Sequence, residues 1–350
     1  MPIKITIPVA LLLALSGVAA DAATCSRRAI AREIKAVLAA APTDTDFSFF
    51  IETASGRRLS YDRGGSRMTT SYESASTSKW VTAVIILREV QRGSLSIDSR
   101  PQDLIPGWNV TPSDPLAAIT LGNLLSFTSG LVQEPACLNG RADFEECVRR
   151  IADVNAGNGK VPGTEFNYGS AHLQVAGLMA VKAARVGSWQ DLFERFRRET
   201  GLFSNGAYDL PSAGNPRLAG GMHWTGADYA AFLRALQGGQ LLGPSLLSQM
   251  YADHVGSALI GSSPPLAALG EDWHYGFGHW LECPSPTFDC PAPAYHSSPG
   301  AYGAYPFVNV AHGYFGIVAR QGALGTFRNG KALFDRVRAQ AEAWAECRAE

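Results

Sequence analysis

The chain has 350 residues, of which 46% are hydrophobic and 17% are charged. This length and composition are typical of a globular, enzyme-sized fold, either one large domain or two interleaved subdomains. The 30 lysines and arginines are balanced by 31 acidic residues, so the net charge of −1 gives no long-range attraction to nucleic acid or anionic lipid. A nucleic-acid partner is therefore not expected.

The N-terminus has the three parts of a cleaved secretory signal. Lys4 precedes an apolar run over residues 7–15, and small residues follow as far as Ala22. The alternative is a membrane anchor, but the run is well short of the ~18 apolar residues that a spanning helix needs. We therefore expect a signal peptide at 1–22, a mature domain at 23–350 and a periplasmic or secreted protein with no stable membrane anchor.

The mature chain begins with a predicted helix at residues 26–41, followed by a β-hairpin of strands 47–53 and 58–62. A helix is predicted to begin at Ser76 and run to residue 91, and from there to about 255 the pattern is mostly helical. Strands are then predicted at 276–281, 301–310 and 313–319, and a last helix at 331–347. This order indicates an α/β fold, with a sheet subdomain at about 23–75 and 256–350 and a helical insert at about 76–255.

An even number of cysteines in an exported chain indicates disulfides, because the compartment is oxidising. Fifteen pairings of six cysteines are formally possible. Closing the two shortest loops gives Cys137–Cys147 and Cys283–Cys290, which leaves Cys25–Cys347 to join the two ends of the chain. The competing interpretation is a zinc site, but no Cys-x-x-Cys or closely spaced His pair accompanies the cysteines. No metal or other cofactor is therefore expected.

The strongest chemical motif is Ser76-Thr77-Ser78-Lys79, at the predicted start of a helix. A spacing of three residues is nearly one helical turn, so the Lys79 amine lies over the Ser76 hydroxyl. Serine is a weak nucleophile until a neighbouring base takes its proton. The motif therefore predicts Ser76 as a nucleophile and Lys79 as its proton partner; the alternative is a solvated lysine beside a helix-capping serine.

Two further segments fit the same chemistry. Tyr168 follows a Gly/Pro loop and precedes the apolar helix predicted at 173–184; we expect Lys79 to lower the pKa of this phenol, which then passes a proton to the leaving group. Residues 296–303 (HSSPGAYG) lead into a predicted strand, and a backbone N–H near Ala301, with that of Ser76, would form an oxyanion hole. Taken alone, the first could be a packing tyrosine and the second an ordinary glycine-rich turn.

In order, spacing and context, these motifs resemble the β-lactamase and penicillin-binding-protein superfamily, and within it the class C β-lactamase, DD-peptidase and family VIII esterase branch. The resemblance extends over nearly the whole mature chain. It implies a β-lactamase-like fold, in which an antiparallel sheet is flanked by the N- and C-terminal helices and carries a large helical insert. It also implies Ser76, Lys79 and Tyr168 as the catalytic residues.

The chain departs from this family at two positions. Ser170 stands where the family's Tyr-x-Asn motif has asparagine, and no lysine is present where the family has Lys-Thr-Gly. Either Ser298, followed by Pro299 and Gly300, or His296 occupies that third position; we favour Ser298. A substrate carboxylate therefore loses a charge-assisted bond of about 1.5–3 kcal/mol.

Three functions were weighed. We expect a carboxylesterase acting on a small ester, with an aromatic pocket wall built from Trp273, Tyr275, Phe277, Trp280, Tyr302 and Tyr305. The alternative is a D-stereospecific peptidase or amidase, or a DD-carboxypeptidase, in which Glu134, Asp143 or Glu271 would recognise an amine; a β-lactamase is less favoured because the cation is missing. A binding protein without activity is disfavoured, because Ser76, Lys79 and Tyr168 are all present.

Overall fold

The computed structural model describes residues 25–108 and 110–347, so the expected signal peptide at 1–22 lies outside the described residues. The helices are α1 (Arg27–Ala40), α2 (Ser78–Gln91), α3 (Pro101–Leu104), α4 (Leu121–Leu125), α5 (Phe144–Asn155), α6 (Ala171–Ala184), α7 (Trp189–Thr200), α8 (Gly226–Gln237), α9 (Pro244–Tyr251), α10 (Pro264–Leu269), α11 (Arg328–Asp335) and α12 (Arg338–Glu346). The strands are β1 (Phe47–Thr53), β2 (Arg58–Arg63), β3 (Ser71–Glu73), β4 (Glu165–Asn167), β5 (Ala207–Tyr208), β6 (Met222–Thr225), β7 (Leu259–Ser262), β8 (His274–Tyr275), β9 (Trp280–Leu281), β10 (Tyr295–Ser297), β11 (Tyr305–Asn309) and β12 (Tyr314–Ala319). Within the described ranges, no helix is both long and apolar enough to cross a bilayer.

The main sheet has seven antiparallel strands in the order β2-β1-β12-β11-β10-β9-β8. It joins the N-terminal hairpin to the C-terminal strands through β1 and β12, where Phe50 pairs with Ile317. Every residue of β1 is buried, because both faces of the sheet are covered. The predicted antiparallel sheet, flanking terminal helices and mixed α/β composition are confirmed.

One face of the sheet packs against α1, α11 and α12. Alternate residues of β1, namely Phe47, Phe49 and Ile51, are buried there with Phe334 of α11 and Trp344 of α12. Each large apolar side chain removed from water contributes about 1.5–3 kcal/mol. This packing fixes the face of the sheet that lies away from Ser76.

The other face packs against the helices between β3 and β8. Residues 78–87 of α2 are all buried, and α2 packs against α6 and α7. The side chain of Lys79, in the first turn of α2, is therefore removed from water.

Two smaller sheets place the segments around Ser76. β3, shortly before Ser76, pairs with β6, and β6 pairs with β5. β4, immediately before Tyr168, pairs in parallel with β7. The segments that lead to Ser76 and to Tyr168 are therefore each anchored by backbone hydrogen bonds to a distant part of the chain.

Two strand predictions differ from the structure, and one strand next to them was not predicted. The segment 276–281 is not one strand: a turn with Gly278 at φ 78° separates β8 from β9. The segment 301–310 becomes a strand only at Tyr305, because the Gly300 N–H bonds back to the Ala304 carbonyl in a tight turn. β10 was missed, because a three-residue strand carries too little alternation to be recognised.

The predicted helices agree better with the structure, except at the start of α2 and within the last helix. Ser76 lies in a 3-10 turn, residues 75–77, and α2 begins at Ser78 rather than at Ser76. The last helix divides into α11 and α12 between Asp335 and Arg338. The first helix begins after Ser26, whose side chain caps it by accepting a hydrogen bond from the Ala29 N–H.

Three disulfides join the pairs Cys25–Cys347, Cys137–Cys147 and Cys283–Cys290, the same pairs that loop closure suggested. The first spans 322 positions of sequence and ties α1 to the end of α12. Replacing both of its cysteines with serine is expected to lower the free energy of unfolding by about 2–5 kcal/mol, because the unfolded chain gains a long open loop. Urea unfolding followed by far-UV circular dichroism measures this loss.

The matched control is the double serine variant at Cys283 and Cys290, whose disulfide spans only 7 positions. Because a short loop restricts the unfolded chain less, this control should lose less stability. An equal or greater loss in the control would contradict the predicted role of the terminal disulfide.

Candidate active site

Ser76, the predicted nucleophile, lies on a turn that the surrounding structure holds in place. Ala75, just before Ser76, has φ 44°, a left-handed conformation that costs a non-glycine residue roughly 1–2 kcal/mol. Thr77, just after Ser76, is fixed from two sides: Trp224 donates from Nε1 to its hydroxyl oxygen at 2.7 Å, and Tyr229 donates to its carbonyl oxygen at 2.9 Å. The surroundings therefore compensate for a strained turn that presents the Ser76 hydroxyl.

Lys79 lies one turn beyond the nucleophile, as its spacing predicted. Its Nζ is 2.9 Å from Ser76 Oγ and donates to the Ala219 carbonyl oxygen at 2.8 Å. Burial lowers the pKa of Lys79 to about 7; the Glu134 carboxylate raises it and the Arg217 guanidinium lowers it further. A substantial neutral fraction therefore exists near pH 7, and this amine can accept the Ser76 proton.

Tyr168 joins Ser76 and Lys79 from a second, distant part of the chain. Its ring lies 4.6 Å from Lys79 Nζ and stacks on the Trp280 ring with centroids 4.9 Å apart. The expectation that Lys79 lowers the pKa of Tyr168 is wrong. Burial raises this pKa above its usual value, against the hydrogen bonds with Ser76 and Trp280, which lower it. Tyr168 is therefore a neutral phenol at physiological pH and is suited to donating a proton.

Glu134, which the sequence suggested only as an amine recogniser, caps the segment that carries Tyr168. Its carboxylate accepts hydrogen bonds from the backbone N–H groups of Ser170 and Ala171, the latter at 3.2 Å, at the start of α6. A carboxylate at this end of a helix is favoured by the helix dipole. A Cβ on Gly169 would lie 2.7 Å from Glu134 Oε1, so a larger residue there would displace this carboxylate. Glu134 thus positions the loop between Tyr168 and Ser170.

The two candidates for the third motif lie in different surroundings. The hydroxyl of Ser298 donates to the Ser76 carbonyl oxygen at 3.1 Å. His296 is buried, with its Nδ1 3.1 Å from Nε2 of His279 and its ring against Tyr251, and burial lowers the pKa of His296 to about 4. This geometry favours Ser298 as the third-motif residue and leaves His296 a neutral side chain of the interior.

The two backbone N–H groups predicted to form an oxyanion hole are not used by the protein itself. In the described part of the chain, the N–H groups of Ser76 and Ala301 have no protein acceptor. The turn that carries Ala301 is held by the Gly325 N–H, which donates to the Ala301 carbonyl oxygen at 2.9 Å, and by Gly300, which bonds to Ala304. Preorganised N–H donors of this kind stabilise a tetrahedral intermediate by several kcal/mol.

Gly300 allows this turn to approach the nucleophile. A Cβ at this position would lie 2.6 Å from the backbone oxygen of Ser74. Gly300→Ala is therefore expected to displace Ala301 and to lower kcat by at least tenfold, since one misplaced oxyanion donor costs roughly 10²–10³ in kcat. Gly214→Ala, where a Cβ would meet nothing within 4 Å, is the matched control. Unchanged kcat in Gly300→Ala would contradict the predicted oxyanion hole.

Two clefts meet at Ser76, and Ala301 lines both. The apolar cleft, of about 440 Å³, is lined beside Tyr168 by Pro264, Pro265, Trp273, Trp280, Pro299 and Phe327. The polar cleft, of about 790 Å³, includes Lys79, Ser170, Glu73, Arg217, Tyr302 and Leu324 in its lining.

The predicted aromatic wall is correct only in part. Trp273 and Trp280 line the apolar cleft and Tyr302 lines the polar one, whereas Tyr275, Phe277 and Tyr305 are core residues that line neither. The sequence analysis also missed Pro264, Pro265 and Phe327 of the apolar cleft, and Glu73 and Arg217 of the polar cleft. They come from segments far apart in the chain and share no motif.

Comparison with known proteins identifies the family. A sequence model of the family described as Beta-lactamase matches residues 52–340. The chain belongs to the Beta-lactamase family. This membership confirms the resemblance that the motifs indicated, and it places the chain in a superfamily of serine hydrolases with penicillin-binding proteins.

Individual relatives agree with this assignment. Penicillin-binding protein 4 of Amycolatopsis lactamdurans is 32% identical over 122 residues, which make up 34% of this chain and 31% of that protein. The chain thus spans about a third of the length of this curated relative. The structure of a Bacteroides dorei protein provisionally assigned as a β-lactamase has a TM-score of 0.72 and 26% identity, covering 90% of this chain and 98% of that one. EstCE1, a hydrolase with promiscuous acyltransferase activity, has the same fold (TM-score 0.69, 18% identity, 91% of this chain and 99% of that one).

Proposed function

We propose that this chain is an exported carboxylesterase that forms an acyl-enzyme on Ser76. The observation that carries the proposal is an intact proton-transfer group of Ser76, Lys79 and Tyr168 beside an apolar cleft that lacks the family's lysine. With Ser298 and Pro299 at the third motif, the apolar cleft offers no fixed cation to a carboxylate. Esters of apolar alcohols fit such a cleft better than penicillins or peptides ending in D-alanine do.

The reaction proceeds in two halves. Neutral Lys79 takes the proton of Ser76 as Oγ attacks the ester carbonyl, and the N–H groups of Ser76 and Ala301 stabilise the oxyanion. Tyr168 gives its proton to the departing alkoxide and regains one from protonated Lys79, so the C–O bond breaks without a free alkoxide. Water then attacks the acyl-enzyme with neutral Lys79 as base, and the proton that Lys79 gains returns to Ser76 as the acid is released.

The position of Tyr168 assigns the two clefts to the two halves of the ester. Tyr168 lines the apolar cleft and is absent from the lining of the polar cleft. Because a proton donor must lie within hydrogen-bond reach of the leaving oxygen, the alcohol part occupies the apolar cleft. The acyl part then extends into the polar cleft, past Ser170.

Export is proposed on two grounds. The described residues contain three disulfides, which form and persist in oxidising compartments. Residues 1–22 have the pattern of a secretory signal. A periplasmic or secreted location agrees with both.

The test is a set of initial rates on 4-nitrophenyl butyrate, a chromogenic cephalosporin and D-alanine 4-nitroanilide, with Ser76→Ala as the control. We expect turnover of the ester to exceed that of the other two and to be lost in Ser76→Ala. Preferred turnover of the anilide would favour a D-stereospecific amidase, and preferred turnover of the cephalosporin a β-lactamase. Ester hydrolysis that survives in Ser76→Ala would overturn the assignment of the nucleophile.

A further inference from the structure

The polar cleft carries a cation that the chain itself does not neutralise. Among the described residues, the Arg217 guanidinium makes one hydrogen bond, from Nε to the Leu138 carbonyl oxygen at 3.2 Å, and no ion pair. Its terminal nitrogens, which form the donor pair that matches a carboxylate, have no partner in the described chain. By contrast, Arg88 and Arg92 both pair with Glu199.

The backbone holds Arg217 firmly at the cleft. Its N–H donates to the Leu210 carbonyl oxygen at 2.8 Å, and its own carbonyl oxygen accepts from Gly220 at 3.0 Å and Gly221 at 2.6 Å. A Cβ on Gly221 would lie 1.9 Å from the Leu210 oxygen, so this compact loop depends on glycine there. Arg217 is therefore carried by a compact, hydrogen-bonded loop in the wall of the polar cleft.

The charge of Arg217 shifts the pKa of other residues in the polar cleft. It lowers the pKa of Lys79, and it opposes the rise that burial causes in the pKa of Tyr302, another residue of the polar cleft. Arg217 also shares this cleft with the nucleophile Ser76. A group held by Arg217 would therefore belong to a molecule that also reaches Ser76.

Glu73 supplies the opposite charge in the same cleft without pairing with Arg217. Its carboxylate bonds to the hydroxyl of Tyr302, and its backbone N–H donates to Gln321 Oε1 at 2.9 Å. Glu73 is thus held by Tyr302 and does not neutralise Arg217, whose terminal nitrogens have no partner in the described chain. Glu73 also repels any anion that enters the cleft. Removing its charge should therefore have the opposite effect on anion binding to removing the charge of Arg217.

We propose that Arg217 binds a carboxylate on the acyl part of the substrate, so that the preferred esters are half-esters of dicarboxylic acids with an apolar alcohol. The proposal rests on the proposed function, in which the acyl part occupies the polar cleft. It differs from recognition at the third motif, because Arg217 lies on the loop between β5 and β6 and its cleft is the one that Tyr168 does not line.

The test compares two 4-nitrophenyl esters that differ in one charge, the monoester of adipic acid and its terminal amide. For each enzyme, the ratio of kcat/KM for the acid to kcat/KM for the amide is measured at pH 8, so that a general effect of the substitution cancels. We expect Arg217→Gln to lower this ratio about tenfold, the size of one charge-assisted bond at a partly exposed site. Arg217→Lys should restore part of the ratio, and Glu73→Gln should raise it.

Arg150→Gln is the matched control, since Arg150 lies on the exposed surface of α5 and pairs with Glu146. Its ratio should equal that of the unaltered enzyme. A ratio that does not fall in Arg217→Gln would overturn this inference, even where Ser76-dependent hydrolysis of both esters continues to support the esterase. Absence of Ser76-dependent hydrolysis of either ester would instead overturn the proposed function, and with it the inference.

Discussion

Lys79→Met is expected to lower kcat/KM for an aryl ester by roughly 10³- to 10⁴-fold, the upper part of the range for loss of a general base. Methionine fills a similar volume but cannot accept the Ser76 proton. Because burial opposes the charge of Lys79, its removal should not lower the melting temperature by more than a few degrees. Steady-state kinetics and thermal unfolding on the same samples check both statements.

The pH profile of kcat/KM identifies the base in the unaltered enzyme. Lys79 must be neutral to accept a proton, and its pKa lies at about 7, so kcat/KM should fall tenfold per pH unit below about 7 and level off above it. Arg217 and Glu134 are the charged groups that shift this pKa, in opposite directions. Arg217→Gln should therefore move the midpoint upward, because loss of the positive charge makes protonated Lys79 more favourable. A profile that stays flat to pH 5 would contradict Lys79 as the base.

Tyr168→Phe is expected to lower kcat by an amount that depends on the leaving group. A phenol with a raised pKa stays protonated across the working range, so its role is to donate a proton to the departing oxygen. An alkyl alkoxide needs that proton, whereas 4-nitrophenolate leaves without it. We therefore expect losses of roughly 10²- to 10⁴-fold on an ethyl ester and of about tenfold on a 4-nitrophenyl ester with the same acyl group.

The control for Tyr168→Phe is the fall of its kcat/KM below pH 7. Tyr168→Phe should keep a midpoint near 7, because Lys79 stays in place. Equal losses on the two esters, together with loss of the midpoint, would instead indicate that Tyr168, ionised, is the base that activates Ser76.

The approach of Lys79 to Ser76 could be predicted because it depends on a short spacing in the chain. A spacing of three residues in a helical turn brings Lys79 Nζ to 2.9 Å from Ser76 Oγ. The direction of the Tyr168 pKa shift could not be predicted in the same way. It depends on burial against Trp280, 112 positions further along the chain, and burial outweighs the nearby lysine.

The residues that line the two clefts could not be predicted from the sequence for the same reason. Pro264, Phe327 and Arg217 reach Ser76 only because β7, β12 and β6 are paired with strands from other parts of the chain. The strand β10 was also missed, and with it the position of Ser298 beside the Ser76 carbonyl. Long, periodic elements such as β1, β2 and α6 were predicted to within a few residues, because burial of one or both faces repeats along their length.

The most direct test of the central claim is capture of the acyl-enzyme. The protein is incubated with a 4-nitrophenyl alkylphosphonate ester, which forms a stable adduct with an activated serine, and its intact mass and peptide map are recorded. The account predicts one equivalent of adduct on the peptide that contains Ser76, slow labelling in Lys79→Met and none in Ser76→Ala. Labelling of another residue, or undiminished labelling of Ser76→Ala, would contradict it.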